Sequence, residues 1–190
     1  MLALVTLVVT VLGGCTSSGK LSKTLDKALQ VVGLETTASK KPSTLTVQLH
    51  AGSNLNAGNS RKPSATIIKI YRLHGTQLFE QAPLNAFLNE SSEKSALGTD
   101  LISVREVVLS PNIQQDVSEE LTEDTAALGI VALFRTPADN RWRLAFDARN
   151  PELLRKGVTV GLHACALTTA NIGLLSRYSG EPNSLASIRC

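Results

Sequence analysis

From Ser43 onward apolar residues return at every second position, a period that fits strands with one buried face and not helices. Leu45, Val47, Leu49 and Ala51 alternate with Thr44, Thr46, Gln48 and His50. A second strand is expected over Ala65 to Leu73, and a third over Ile102 to Leu109, closed by the turn signal Ser110-Pro111-Asn112. The alternation recurs through Leu128, Ile130, Ala132 and Phe134, and again through Trp142, Leu144 and Phe146. A last run takes in Val158, Val160, Leu162, Ala164 and Ala166. Asp139-Asn140 separates two of these runs at hairpin distance. The acidic stretch from Ile113 to Thr125 fits either a strand or a loop. Pro83 opens a helix, because its fixed φ suits a first turn, and Leu84, Phe87 and Leu88 fall on one face. That helix is expected to pack on an edge of the sheet. Short alternating strands with turn signals and one added short helix predict an all-β, antiparallel β-sandwich.

The residues before Ser43 follow a different logic. Met1 to Leu12 carries no charge and is almost wholly apolar, the length of a signal-peptide core and short of the roughly 20 residues that span a bilayer. The run ends in Leu12-Gly13-Gly14-Cys15, the pattern of a lipoprotein processing site, where small residues admit the backbone to the peptidase and the thiol receives lipid. The basic residue that usually opens a signal peptide is missing before Cys15, and a start codon upstream of Met1 would supply it. The expected organisation is a signal peptide over residues 1–14, a lipidated tether over 15–42 and a β-sandwich domain over 43–190. Several acyl chains on Cys15 would give stable anchoring where one would not. Thr16 stands where an Asp would retain a lipoprotein at the inner membrane, so the expected location is the periplasmic face of the outer membrane. A flexible Thr16–Pro42 segment would reach roughly 25–30 Å. Leu21, Leu25, Ala28, Leu29 and Val32 recur within it at helical spacing, as in a short amphipathic helix lying on lipid or against the domain.

Once Cys15 carries lipid, Cys165 and Cys190 remain, and in an oxidising compartment they would pair as a disulfide or else stay as two reduced thiols. The bond would close a loop worth roughly 3–4 kcal/mol of chain entropy. His163 and Cys165 lie two apart on an expected strand and so on one face, which leaves open a Cys/His enzyme or a metal site against a packed histidine beside a disulfide. The sequence holds no Gly-x-Ser-x-Gly elbow, no His-Glu-x-x-His and no phosphate-cradling Gly-Lys-Ser loop, so no catalytic residue, metal or cofactor beyond the covalent lipid is assigned. Nucleic acid is an unfavoured partner, since the net charge is only +3 and aromatics make up 4% of the chain. A sugar- or peptide-binding lipoprotein ranks below these readings for want of an aromatic platform. The best working surface is the loop after the first strand. Gly52, Asn54, Asn56, Gly58 and Asn59 admit tight turns and left-handed backbone, Leu55 adds one apolar side chain, and Lys62 closes the stretch. The alternative is a floppy hairpin connection.

The order Asn54-x-Asn56, Gly58, Pro63, then Ile68-x-Ile70-Tyr71-x-Leu73, resembles the TssJ family, the outer-membrane lipoproteins of type VI secretion systems. The likeness continues through Phe79, Ala82, Leu97-Gly98-x-Asp100 and Leu109-Ser110-Pro111. It extends to Gly129-Ile130-Val131-Ala132-x-Phe134-Arg135 and Trp142-Arg143, and it ends near residue 165. The resemblance implies a transthyretin-like sandwich with an added helix. It implies a partner too, the periplasmic C-terminal domain of the inner-membrane protein TssM, and with it the other subunits of the type VI membrane complex. In that family the loop after the first strand makes the contact, which here is Gly52 to Lys62, with Asn54, Leu55 and Asn56 foremost. The tail from Asn171 to Cys190 lies outside the pattern.

Overall fold

Alternation builds two four-stranded sheets, seen in a computed structural model that describes residues 43–176, 180–186 and 188–190. The processing site, Cys15 and the expected tether helix lie outside the described residues. The first sheet has the order β4-β1-β7-β8, from β1 (Ser43–Ala51), β4 (Gln114–Leu121), β7 (Val158–Leu162) and β8 (Leu167–Thr168). The second has the order β3-β2-β5-β6, from β2 (Thr66–Leu73), β3 (Leu101–Leu109), β5 (Ala127–Ala132) and β6 (Arg143–Asp147). Leu45, Val47 and Leu49 of the first sheet belong with Ile68, Ile70, Leu144 and Phe146 of the second to one buried core. The stretch left open between strand and loop is strand β4, paired with β1 through Val47 and Val117.

Every pairing is antiparallel except β1 with β7, which runs parallel with Val47 opposite Val158. A parallel neighbour needs a long crossover, and the chain builds the whole second sheet and a helix before it returns beside β1. That helix, α3 (Pro151–Lys156), carries the signals of its own ends. Asn150 accepts hydrogen bonds from the backbone N–H of Glu152 (2.9 Å) and Leu153 (3.4 Å), and Pro151 takes the first turn. Gly157 then ends the helix at φ 81°, where an added Cβ would stand 2.6 Å from the Thr46 carbonyl.

The single added helix becomes four helical segments: α1 (Gln77–Gln81), a 3₁₀ turn over Leu84–Leu88, α2 (Glu90–Leu97) and a 3₁₀ turn over Gly98–Asp100. The first three lie on the outer face of the second sheet and not on its edge. An added Cβ at Gly129 of central strand β5 would stand 2.9 Å from the Phe79 ring. Tyr71, Phe79, Phe87 and Trp142 form a chain of tilted and edge-on ring pairs with centroids 5.6–5.8 Å apart. Three residues per turn in the 3₁₀ segment bring Leu84 and Phe87 onto one side and leave Leu88 61% exposed, so Leu88 does not share the buried face. Beneath α2, Glu93 accepts from the Lys69 ammonium (3.0 Å) and from the Tyr71 hydroxyl, all three buried. Burial alone would lower the Lys69 pKa, but its bonds to Glu106 and Glu93 outweigh that and hold it above the ordinary value. Arg143 closes the cover from below, donating to the carbonyls of Phe79 (2.9 Å), Ala82 (2.6 Å) and Glu80 at the end of α1.

The last expected strand is broken. β7 ends at Leu162, the chain bends through His163–Ala166, and β8 pairs back with Leu162 opposite Leu167. His163 and Cys165 therefore sit in a turn, not on one strand face.

Candidate functional site

The loop leaving β1 does not hang free. Gly52, Asn56 and Gly58 donate their backbone N–H groups to three consecutive carbonyls, Leu162 (2.8 Å), His163 (3.0 Å) and Ala164 (3.0 Å). The loop is thus laid like an irregular strand along the end of β7 and the turn that follows. Within it, Leu55 and Ala57 donate to the carbonyls of Gly52 and Asn54, and Asn112 of the β3–β4 turn donates to Gly52 (3.4 Å). Gly58–Ser60 forms a 3₁₀ turn, with φ 49° at Gly58 and φ 54° at Arg61. A Cβ on Gly58 would fall 2.0 Å from the Thr136 hydroxyl, so both the backbone and the space demand glycine there.

Asn56 is the centre of the arrangement. It is 3% exposed, adopts φ 53°, and uses both ends of its amide. Its Nδ2 donates to Ser64 Oγ (3.1 Å) and the Ala65 carbonyl (3.2 Å), and its Oδ1 accepts from the Arg135 backbone N–H (2.9 Å). The Arg135 guanidinium then donates to the carbonyls of Asn56 (2.7 Å) and Lys62 (2.7 Å), tying both halves of the loop together. Leu55 is fully buried in the core.

Burial divides the expected loop residues into an inner frame and an outer rim. Leu55 and Asn56 hold the loop from inside, since the apolar side chain joins the core and the amide satisfies buried backbone groups. Gly52 and Gly58 shape the loop. The exposed rim is Asn54, Asn59 and Lys62, joined by Ser53, Ser60 and Arg61. Two further residues, Arg135 and Ile113, frame the loop from elsewhere in the chain. Arg135 lies far along the chain, with only the Phe134-Arg135 step of the resemblance to mark it. Ile113, 47% exposed, accepts through its carbonyl from the Ala51 N–H, and the Ser110-Pro111-Asn112 turn signal pointed to its place.

Cys165 and Cys190 are joined in a disulfide. No thiol is left beside His163, which removes the nucleophile a Cys/His enzyme needs. His163 is half-buried, with Nε2 2.9 Å from Thr168 Oγ1. Burial, and then the charge of Arg141, holds its pKa below the ordinary value. Among the described residues no group of three or more His, Cys, Asp or Glu side chains could hold a metal ion.

The described residues form a two-sheet sandwich with one helically covered face and one pinned loop at the end of β1. The chain belongs to the type VI secretion lipoprotein family, described as "Type VI secretion lipoprotein, VasD, EvfM, TssJ, VC_A0113", whose pattern matches residues 43–165. The crystal structure of the type VI lipoprotein TssJ1 from Pseudomonas aeruginosa is similar to this chain at a TM-score of 0.59 with 26% identity, over 73% of this chain and 99% of that one. A chain of a structure titled as a type VI membrane complex matches at 0.61 with 22% identity, over 69% and 100% of the two chains. Serratia marcescens Lip, titled a membrane-bound component of the type VI secretion system, matches at 0.59 with 19% identity, over 68% and 97%. No curated protein sequence matches the chain.

Proposed function

We propose that this lipoprotein is the outer-membrane anchor of a type VI membrane complex, held in the periplasmic leaflet by acyl chains on Cys15 and gripping the periplasmic C-terminal domain of TssM with the exposed rim of the β1–β2 loop. The observation that carries the reading is the placement of the loop. The chain from Cys15 enters β1 at Ser43 and the loop leaves β1 at Ala51, so the nine-residue strand holds the two ends roughly 26 Å apart. A loop at the opposite end of β1 from the point where the chain enters the sandwich suits a protein that must reach away from its anchor. The pinning by Leu162–Ala164 and by Arg135 means that little of the binding free energy is spent on ordering the loop. Asn54, Asn59, Arg61 and Lys62 then offer hydrogen-bond donors and positive charge on a fixed backbone. Replacement of Cys15 by Ser tests the anchor: membrane fractionation is expected to find folded protein released from the outer membrane. Retention there would refute anchoring through Cys15.

A further inference from the structure

We infer that the Cys165–Cys190 disulfide and the buried Arg141 are positioning elements for the β1–β2 loop, so that the loop keeps its shape only while the C-terminal segment is clasped. The clasp lies largely beyond the family match, which ends at residue 165, and so adds to what the family fold supplies.

The path is short and made of named bonds. Leu162, His163 and Ala164, whose carbonyls receive the loop N–H groups, directly precede Cys165. On its other side the same turn is held by the C-terminal segment. The disulfide fixes Cys190 to Cys165, and Ile188 packs on the small cluster of Ala138, Cys165 and Ala166. The Cys165 carbonyl accepts from the Ala138 N–H (2.9 Å). Arg141, fully buried, donates to the carbonyls of Glu181 (3.2 Å) and Ser184 (2.7 Å), while its own carbonyl accepts from Leu167 N–H (2.7 Å) at the start of β8. The turn is thus gripped between loop and tail. Its residues, His163-Ala164-Cys165-Ala166, contain no Gly, Pro or Asn to fix a bend by themselves.

Closing the clasp removes two electrons and two protons from the two thiols. A thiol–disulfide oxidant of the compartment accepts them as its own disulfide becomes a dithiol. Dithiothreitol reverses the exchange, its two thiols ending as a cyclic disulfide and the two cysteines as free thiols.

The test is amide hydrogen exchange on the full chain in detergent, for the native protein, for Cys165→Ala/Cys190→Ala, and for native protein reduced with dithiothreitol and then reoxidised. Opening the clasp should speed exchange in peptides covering Gly52–Gly58 by about tenfold or more, leave β2 and β5 protected, and be undone by reoxidation. Arg141→Lys, which keeps the charge and loses the forked donor, should give a smaller change in the same peptides. Unchanged loop exchange would overturn the inference. So would parallel acceleration in β2 and β5, since the bond would then staple the whole fold and not position the loop; the reduced native protein decides the matter if the double variant does not fold. A second arm, titration with the TssM periplasmic domain, rests on the function proposed above. Absence of binding in both redox states would count against that function and leave the exchange result standing.

Discussion

The helical cover on the second sheet and the β1–β2 loop are both irregular chain laid on the same sandwich, yet they are held by opposite means. The cover is fixed by its side chains: Phe79 and Phe87 against Tyr71 and Trp142, and Glu93 against Lys69. The loop is fixed by its backbone, with N–H groups on the carbonyls of Leu162, His163 and Ala164 and with Arg135 gripping carbonyls from below. A segment held by its side chains commits the inward ones, such as Phe79, Phe87 and Glu93, to the sheet. A segment held by its backbone keeps its outward side chains free to specialise while its shape stays put. On the function proposed above, the division would let one small domain carry both a stable body and an adaptable contact surface.

Substitutions can break this contrast, beginning with the largest effect. Phe87→Ala removes the ring that touches Tyr71, Phe79 and Trp142, and should cost about 3–5 kcal/mol in urea unfolding while the folded fraction keeps its loop protection in hydrogen exchange. Asn56→Ala strands the Arg135 N–H and puts a poorly suited residue at φ 53°. It should cost about 2 kcal/mol and also weaken TssM binding, because the Asn56 amide ties the loop to Ser64, Ala65 and Arg135 from inside. Asn54→Ala/Lys62→Ala, on the exposed rim, should stay within about 0.5 kcal/mol in stability. The same pair should lower affinity tenfold or more if it lies at the centre of the contact. A stability loss matching the affinity loss would dissolve the distinction between rim and frame.

The smallest expected effect is one of pH. The folded protein holds the His163 pKa below its ordinary value near 6.5, so below about pH 6.5 the unfolded chain takes up a proton that the folded site still refuses. Stability should therefore be full above that pH and fall as pH drops through it, until the folded site is protonated too. A melting series from pH 7.5 to 5 should show a shallower acid-side decline in His163→Gln than in the native protein. Identical slopes would show that another group governs the window.

Legibility in the sequence followed the same physics. Strands with one wet face alternate, so β1 is legible in Leu45-x-Val47-x-Leu49, while β3 is legible as the run Ile102 to Leu109 closed by the Ser110-Pro111-Asn112 turn signal. β5 was found, but its six residues are all buried, because the helical cover shields the face that alternation assigns to water. The bend at His163–Ala166 was hidden, since the alternation of GLHACALT runs straight through it and no turn residue interrupts. Asn89 before α2 and Asn150-Pro151 before α3 are true start signals that the strand period masks. At the candidate site, the glycines and asparagines rightly marked the loop. Composition could not say which side chains face inward, because Arg135 and the β7–β8 turn, which decide it, arrive from far along the chain.

Calorimetric titration of the full-length chain in detergent with the periplasmic C-terminal region of TssM from the same organism would show whether the pinned loop is the contact surface. Saturable binding to the native protein is expected, with clear weakening by Asn54→Ala/Lys62→Ala at unchanged stability and loss with Asn56→Ala. Absence of binding by demonstrably folded protein, or binding indifferent to all three substitutions, would contradict the claim that the pinned loop is the contact surface.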